Sequence, residues 1–194
     1  MGRSADHRGS LANEMFTLME RLWAEESVDF DGKFFQYRNA SIAPRPIQQP
    51  LPLWIGGSSP AAAKRTARLG SGWIGGAASP ADVAGSISMI KAELLNTGRT
   101  IDDDHYGAGF YFRFGGWDDG PLPLLVQTYQ KRTGRDPKYS FAVGTGPDIC
   151  ARIEEYIAAG ISKFVLRPTG SNDEELMDQT QRLIDEVIPA FAGR

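Results

Sequence analysis

Cysteine is almost missing from this 194-residue chain: Cys150 stands alone, and there are only two histidines, His7 and His105. One thiol cannot close an internal disulfide, and without a C-x-x-C pair or a His-rich cluster the chain carries no ligand set for a structural metal, so no metal is expected. Basic charge is also short. With 21 Lys+Arg against 24 Asp+Glu the formal net charge is −3, and no Lys/Arg run offers the field that nucleic-acid phosphates or an anionic membrane would select. No apolar run approaches the ~18 residues of a membrane span, and the opening MGRSADHRGSLANEM is polar where a signal peptide needs an apolar core, so a reducing, cytoplasmic setting is expected.

What remains is a composition of 41% hydrophobic and 23% charged residues, with 22 Gly and 12 Pro grouped in short punctuating clusters. Length and composition predict one folded domain over residues 1–194. Leu11, Met15, Leu18 and Leu22, with Phe16, Met19 and Trp23, recur at three- and four-residue spacing and predict an amphipathic helix over residues 10–26 with Ser10 as its N-cap. VDFDGKFFQYRNASI then reads as a hairpin about D-G, and APRPIQQPLP as an excursion whose prolines exclude helix and central strand.

Next come two units with the same punctuation. PLWIGG is an apolar run closed by Gly56 and Gly57, followed by the helix-forming SSPAAAKRTARLG; SGWIGGA is closed by Gly75 and Gly76 and followed by SPADVAGSISMIKAELLNTGR. HYGAGFYFRFGG predicts a third strand, residues 117–141 an irregular insertion with some helix of its own, GTGPDICARIEEYIAAG a helix, KFVLRP a fourth strand and SNDEELMDQTQRLIDEVIPAF a last helix. This order, four strands and at least five helices, predicts an α/β fold with a parallel sheet: either a partial (β/α)8 barrel of about four βα units or an open doubly wound sheet.

Free backbone amides at a glycine turn, combined with the positive end of a helix, suit an anion, and glycine lets a phosphate approach the main chain. Both G-G corners therefore predict a phosphorylated cofactor, against the plainer role of a tight turn. Other candidates point elsewhere. His7 falls in an N-terminal segment and His105 beside an acidic loop, so neither is assigned catalysis. Cys150 has the spacing of a small buried hydrophobe with Ile153 and Ile157. Phe110, Tyr111, Phe112, Phe114 and Trp117 are expected to fill core on one face and to floor a ring pocket on the other. The acidic groups at residues 102–104 and 118–119 lack EF-hand spacing, and Arg45 is expected at the surface. Arg167, closing KFVLR, could meet a phosphate or an acidic substrate, or pair with a neighbouring helix.

The succession VDFDGKFF, PRPIQQPLPLWIGGS and AAAKRTARLGSGW, followed later by FAVGTGPDI, GISKFVLRP and DEVIPAF, resembles the luciferase-like monooxygenase superfamily of flavin- and F420-dependent oxidoreductases. The resemblance implies the C-terminal half of a (β/α)8 barrel, with the 117–141 insertion over the active site, before the penultimate helix. It implies F420 or FMN as cofactor, its phosphate held by Gly56, Gly57 and Ser58, with Trp73, Gly75, Gly76 and Ala77 lining the cofactor side and Arg167 or the insertion meeting a small-molecule substrate. The family's earlier strands, which bring many ring contacts, have no counterpart in this sequence. Two readings follow: an oxidoreductase of the luciferase-like type, as a homo-oligomer or with a partner chain completing the barrel, or a non-catalytic flavin- or phosphate-binding module or truncated fragment needing a partner.

Overall fold

A computed structural model describes residues 7–76 and 78–193. Helix α1 (Arg8–Ala24) starts two residues earlier than its apolar pattern suggests: His7 is the N-cap, and the Ser10 hydroxyl donates back to the His7 carbonyl at 3.1 Å. The hairpin follows as β1 (Val28–Asp31) and β2 (Gln36–Ala40), antiparallel. Its turn is held by one carboxylate, since Glu14 on α1 accepts the amides of Lys33, Phe34 and Phe35 at 2.9, 2.7 and 2.7 Å. Helix and hairpin are thereby tied into one entrance unit.

The main sheet is wholly parallel. It comprises β3 (Trp54–Gly56), β4 (Gly72–Ile74), β5 (Tyr106–Phe114), β6 (Phe141–Gly144) and β7 (Lys163–Pro168), in the order β3, β4, β5, with β7 on the other edge of β5. β4 and β6 share one edge of β5, β4 against Tyr106 and Gly107 and β6 against residues 111–114, while β7 runs along the opposite edge. Strand β6 lies where the sequence predicted only the end of an insertion and the start of a helix. Its apolar segment, FAVG, is too short for a periodicity to show, and its pairing with the upper half of β5 is decided by the tertiary fold. The parallel sheet therefore has five strands in place of the expected four.

The helices α2 (Pro60–Leu69), α3 (Pro80–Thr97), α5 (Gly146–Ala158) and α6 (Asp173–Arg182) follow β3, β4, β6 and β7. Alternation on β5 sorts its aromatics: Tyr106, Phe110, Phe112 and Phe114 are buried in the core shared with Val83, Ile90, Ile149 and Tyr156 of α3 and α5, while Tyr111 faces the other way. Cys150 is half-buried against this core, and burial pushes its thiol pKa up, as a small hydrophobe would behave. The expected last helix is interrupted: α6 passes into a π-turn over Leu183–Val187 and a 3-10 turn over Ile188–Phe191, where Pro189 lacks the amide a regular helix needs. The buried Gln179 amide accepts from Phe114 N at 2.6 Å and donates to Phe114 O at 3.2 Å, satisfying the end of β5.

The face of the sheet away from these helices is open. Glycine at 107 and 109 leaves little side chain on β5 there, and the Trp54 indole spreads over Gly72, where an added Cβ would meet the ring at 2.7 Å. On β7, Lys163, Val165 and Arg167 are exposed on this face, whereas Phe164 and Leu166 pack into the core. Among the described residues, β3 pairs only with β4, and β6 and β7 pair only with β5, so the outer edges of β3, β6 and β7 are unpaired.

Candidate functional site

The insertion contributes α4 (Leu122–Thr133) and a 3-10 turn over Pro137–Tyr139. Leu122 and Tyr129 form a second apolar cluster with Phe141, against Tyr111 and Val143, so α4 roofs the open face over β6 and the C-terminal half of β5. Four strand-to-helix corners gather at the same end of the sheet, and their chemistry differs.

At the first corner Gly56, Gly57, Ser58 and Ser59 are all exposed. Gly57 has φ +111°, a conformation that costs any residue with a Cβ, and Ser59 caps α2 by accepting from Ala62 N at 3.2 Å. The Gly57 carbonyl accepts a 2.8 Å hydrogen bond from the Trp73 indole, which is 1% exposed and fixes the peptide plane from beneath. Pro60 occupies the first helical position, and the first turn of α2 holds no acidic residue. Among the described residues no protein group accepts from the amides of Gly57, Ser58 or Ser59. Unpartnered amides, a helix N-terminus and the absence of local negative charge are the requirements of an anion site.

The second corner satisfies itself. Gly75 is buried, with the Trp73 ring 2.8 Å from where a Cβ would stand, and its amide donates to Gly107 O at 2.7 Å. Asp82, in the first turn of α3, accepts from the Ser79 hydroxyl at 2.9 Å and the Ser79 amide at 3.3 Å, completing a capping box. Gly76 is exposed and has nothing within 4 Å of a would-be Cβ. Ala77 lies outside the described residues. The remaining corners are acidic as well: Asp148 accepts from the Thr145 amide and hydroxyl at 2.8 and 2.6 Å, which hold its carboxyl below the usual carboxylate range. At α6, Glu175 accepts from Ser171 N and Arg113, both at 2.6 Å, and is likewise held low by the Ser171 amide and then by Arg113.

Arg167 stands at the C-terminal end of β7 on the open face, exposed, its guanidinium 5.6 Å from the centre of the Tyr111 ring. The histidines lie elsewhere. His105 precedes β5, its Nδ1 2.8 Å from Ser71 O before β4, at the opposite end of the strands from the corners; His7 caps α1. Ligand atoms of Asp102, Asp104 and His105 approach within 4.8 Å of one another, with Asp104 bound by Lys163 at 3.1 Å. Arg45 and Trp117 are exposed. Arg132 at the end of α4 was not singled out by its sequence, which gives it the ordinary setting of a helix C-terminal cation.

A parallel sheet whose corners meet at its C-terminal end, with helices on one face and a roofed opening on the other, is part of a (β/α) barrel. Residues 1–114 match the luciferase-like monooxygenase family, and the chain belongs to that family. It is 26% identical over 221 residues to an F420-dependent glucose-6-phosphate dehydrogenase of Microbacterium testaceum, covering 98% of this chain and 63% of the relative. The same-named protein of Intrasporangium calvum is 24% identical over 211 residues, covering 93% and 60%. Among solved structures, an F420-dependent secondary alcohol dehydrogenase in complex with an F420-acetone adduct superposes with TM-score 0.77 at 17% identity, over 97% of this chain and 63% of the other. Monooxygenase RslO1 from Streptomyces bottropensis does so with TM-score 0.77 at 20% identity, over 97% and 63%. The chain thus spans under two thirds of the length of these relatives.

Proposed function

We propose that this chain is part of a flavin- or deazaflavin-dependent oxidoreductase of the luciferase-like type, and that the corner at Gly56, Gly57 and Ser58 holds the phosphate of F420 or FMN. The observation that carries this reading is the contrast among corners: only here, of the four, are amides open at a helix start whose first turn is free of acidic residues. The names of the relatives agree, since several are F420-dependent and others carry FMN in their description.

In this reading the Trp73 indole positions the corner through the Gly57 carbonyl, Gly76 lines the cofactor side of the next corner, and Gly75 keeps β4 close to β5. The bound cofactor supplies hydride or oxygen transfer to a small-molecule substrate. The protein's share is position: it anchors the anionic tail, and α4 excludes water from the open face. Arg167 meets the substrate. A second reading, in which the chain acts only as a homo-oligomer or beside a partner that extends the sheet, is favoured by the free edges of β3 and β7 and by Val165, 41% exposed on the open face.

Titration of the purified chain with FMN and with F420, followed by cofactor fluorescence, tests the first reading. Saturable binding of either is expected, and a folded, soluble sample that binds neither overturns it. Substrate-dependent reoxidation of the reduced cofactor eliminates a purely binding role, and light scattering at the same concentrations reports whether an assembly is required.

A further inference from the structure

Register places three side chains level on the open face: Tyr111 pairs with Phe141 on one edge of β5 and with Arg167 on the other. The Tyr111 and Phe141 rings stack with centroids 5.1 Å apart at 20°, and the Arg167 guanidinium lies over Tyr111. Above them α4 presents Leu125, Thr128 and Arg132 from successive turns, enclosing a cavity of about 150 Å³ with Tyr111, Tyr129 and Phe141. This is room for about five water molecules, the size of an ionic head group with a small apolar fragment.

The charges around this cavity are unbalanced in one direction. Arg113, two residues along β5, is bound to Glu175 at 2.6 Å; Lys163, four residues before Arg167, to Asp104 at 3.1 Å; and Arg135, three residues after Arg132, to Asp82 at 3.3 Å. Arg132 and Arg167 are exposed, and among the described residues neither has a carboxylate partner. These three cations are neutralised within the fold, whereas Arg167 lies over the Tyr111 ring and Arg132 lines the cavity beside it. A guanidinium presents a planar fork matched to carboxylate and phosphate, and the stacked rings with Leu125 offer the apolar wall that a fully hydrated inorganic ion would not use.

We infer that the cleft between α4 and the Tyr111, Phe141 pair binds an organic anion, its charged head between Arg132 and Arg167 and its apolar body against the stacked rings. This rests on the oxidoreductase reading in taking that anion as the substrate, and it separates two anion sites: the cofactor's tail at the end of β3 and the substrate's head at the ends of β5 and β7.

Calorimetric titration of the chain with benzoate, phenyl phosphate and the neutral isostere benzamide tests the inference without cofactor. Either anion is expected to bind at least tenfold more tightly than benzamide, and the choice between benzoate and phenyl phosphate identifies the head group. Arg167→Gln and Arg132→Gln, both at exposed positions, should each weaken that binding about tenfold, Arg167→Lys should restore part of it, and FMN or F420 affinity should stay as in the parent chain. Benzamide binding as well as the anions, no binding of any probe, or glutamine variants that bind like the parent each overturns the site. Loss of cofactor binding with retained benzoate binding defeats the oxidoreductase reading and leaves the anion cleft standing.

Discussion

Two corners of this protein are written almost identically, WIGGSSP and WIGGAASP, yet they present opposite surfaces. At the first, the main chain turns through a positive φ at Gly57, exposes its amides and starts a helix without an acid. At the second, Gly75 donates into the sheet and Asp82 supplies the anion itself. Repetition of a glycine pair is thus not repetition of a function. What separates the corners is the third residue of the following helix and the direction of one amide.

The two corners are joined by Trp73, and its removal should be felt most. Trp73→Ala deletes a fully buried indole and the bond to Gly57 O, and should cost about 3–5 kcal/mol in urea unfolding while abolishing cofactor binding. If the variant retains both stability and binding, the indole does not order the first corner.

Gly57→Ala should cost about 1–3 kcal/mol, because φ +111° is strained for alanine and the new Cβ would stand 3.1 Å from that of Ala62. Cofactor affinity should fall at least tenfold in the same sample. Its counterpart Gly76→Ala meets nothing and should stay within about 0.5 kcal/mol of the parent. Equal losses at the two positions would erase the contrast.

Exchanging the charges sharpens it further. Asp82→Ala removes the capping box of α3 and should lower stability by about 1 kcal/mol with cofactor affinity undiminished. Ser58→Asp should do the reverse, leaving the unfolding midpoint in place and weakening FMN or F420 about tenfold, as a fluorescence titration would show.

The smallest effect concerns pH at the most acidic corner. The Glu175 carboxyl is held below its ordinary range in the fold, so its contribution is complete above the unfolded pKa and is lost as pH falls through the folded one. Melting temperature should therefore decline on acidification below about pH 4.5, the unfolded glutamate range, and less steeply in Glu175→Gln. Tyr156 brings no counterpart near neutrality: burial pushes its hydroxyl up to about 12.

Much of this was legible from local patterns. The Ser-Pro starts of α2 and α3, the stop at Gly98, the hairpin about Asp31 and Gly32, and the alternation that sends Phe110 and Phe112 inward each depend on a few adjacent residues. The inequality of the corners is also written there, in the Ser79, Asp82 spacing of a capping box that Ser59 and Ala62 do not share. Strand β6 and the cleft under α4 had no such signal. β6 exists because β4 is short and leaves the upper edge of β5 unpaired, and the cleft exists because α4 brings Leu125, Thr128 and Arg132 over Tyr111 and Phe141.

By itself, then, the sequence determined most of the helices, four of the five parallel strands and their α/β order, since propensity, capping and periodicity act over one or two turns. Only the tertiary structure decided that the Gly57 amides stay open while that of Gly75 is consumed, and that two arginines 35 positions apart share one tyrosine. Hydrogen-bond satisfaction and charge balance are properties of neighbours in space, and neighbours in space are fixed by the register of strands that the chain sets far apart.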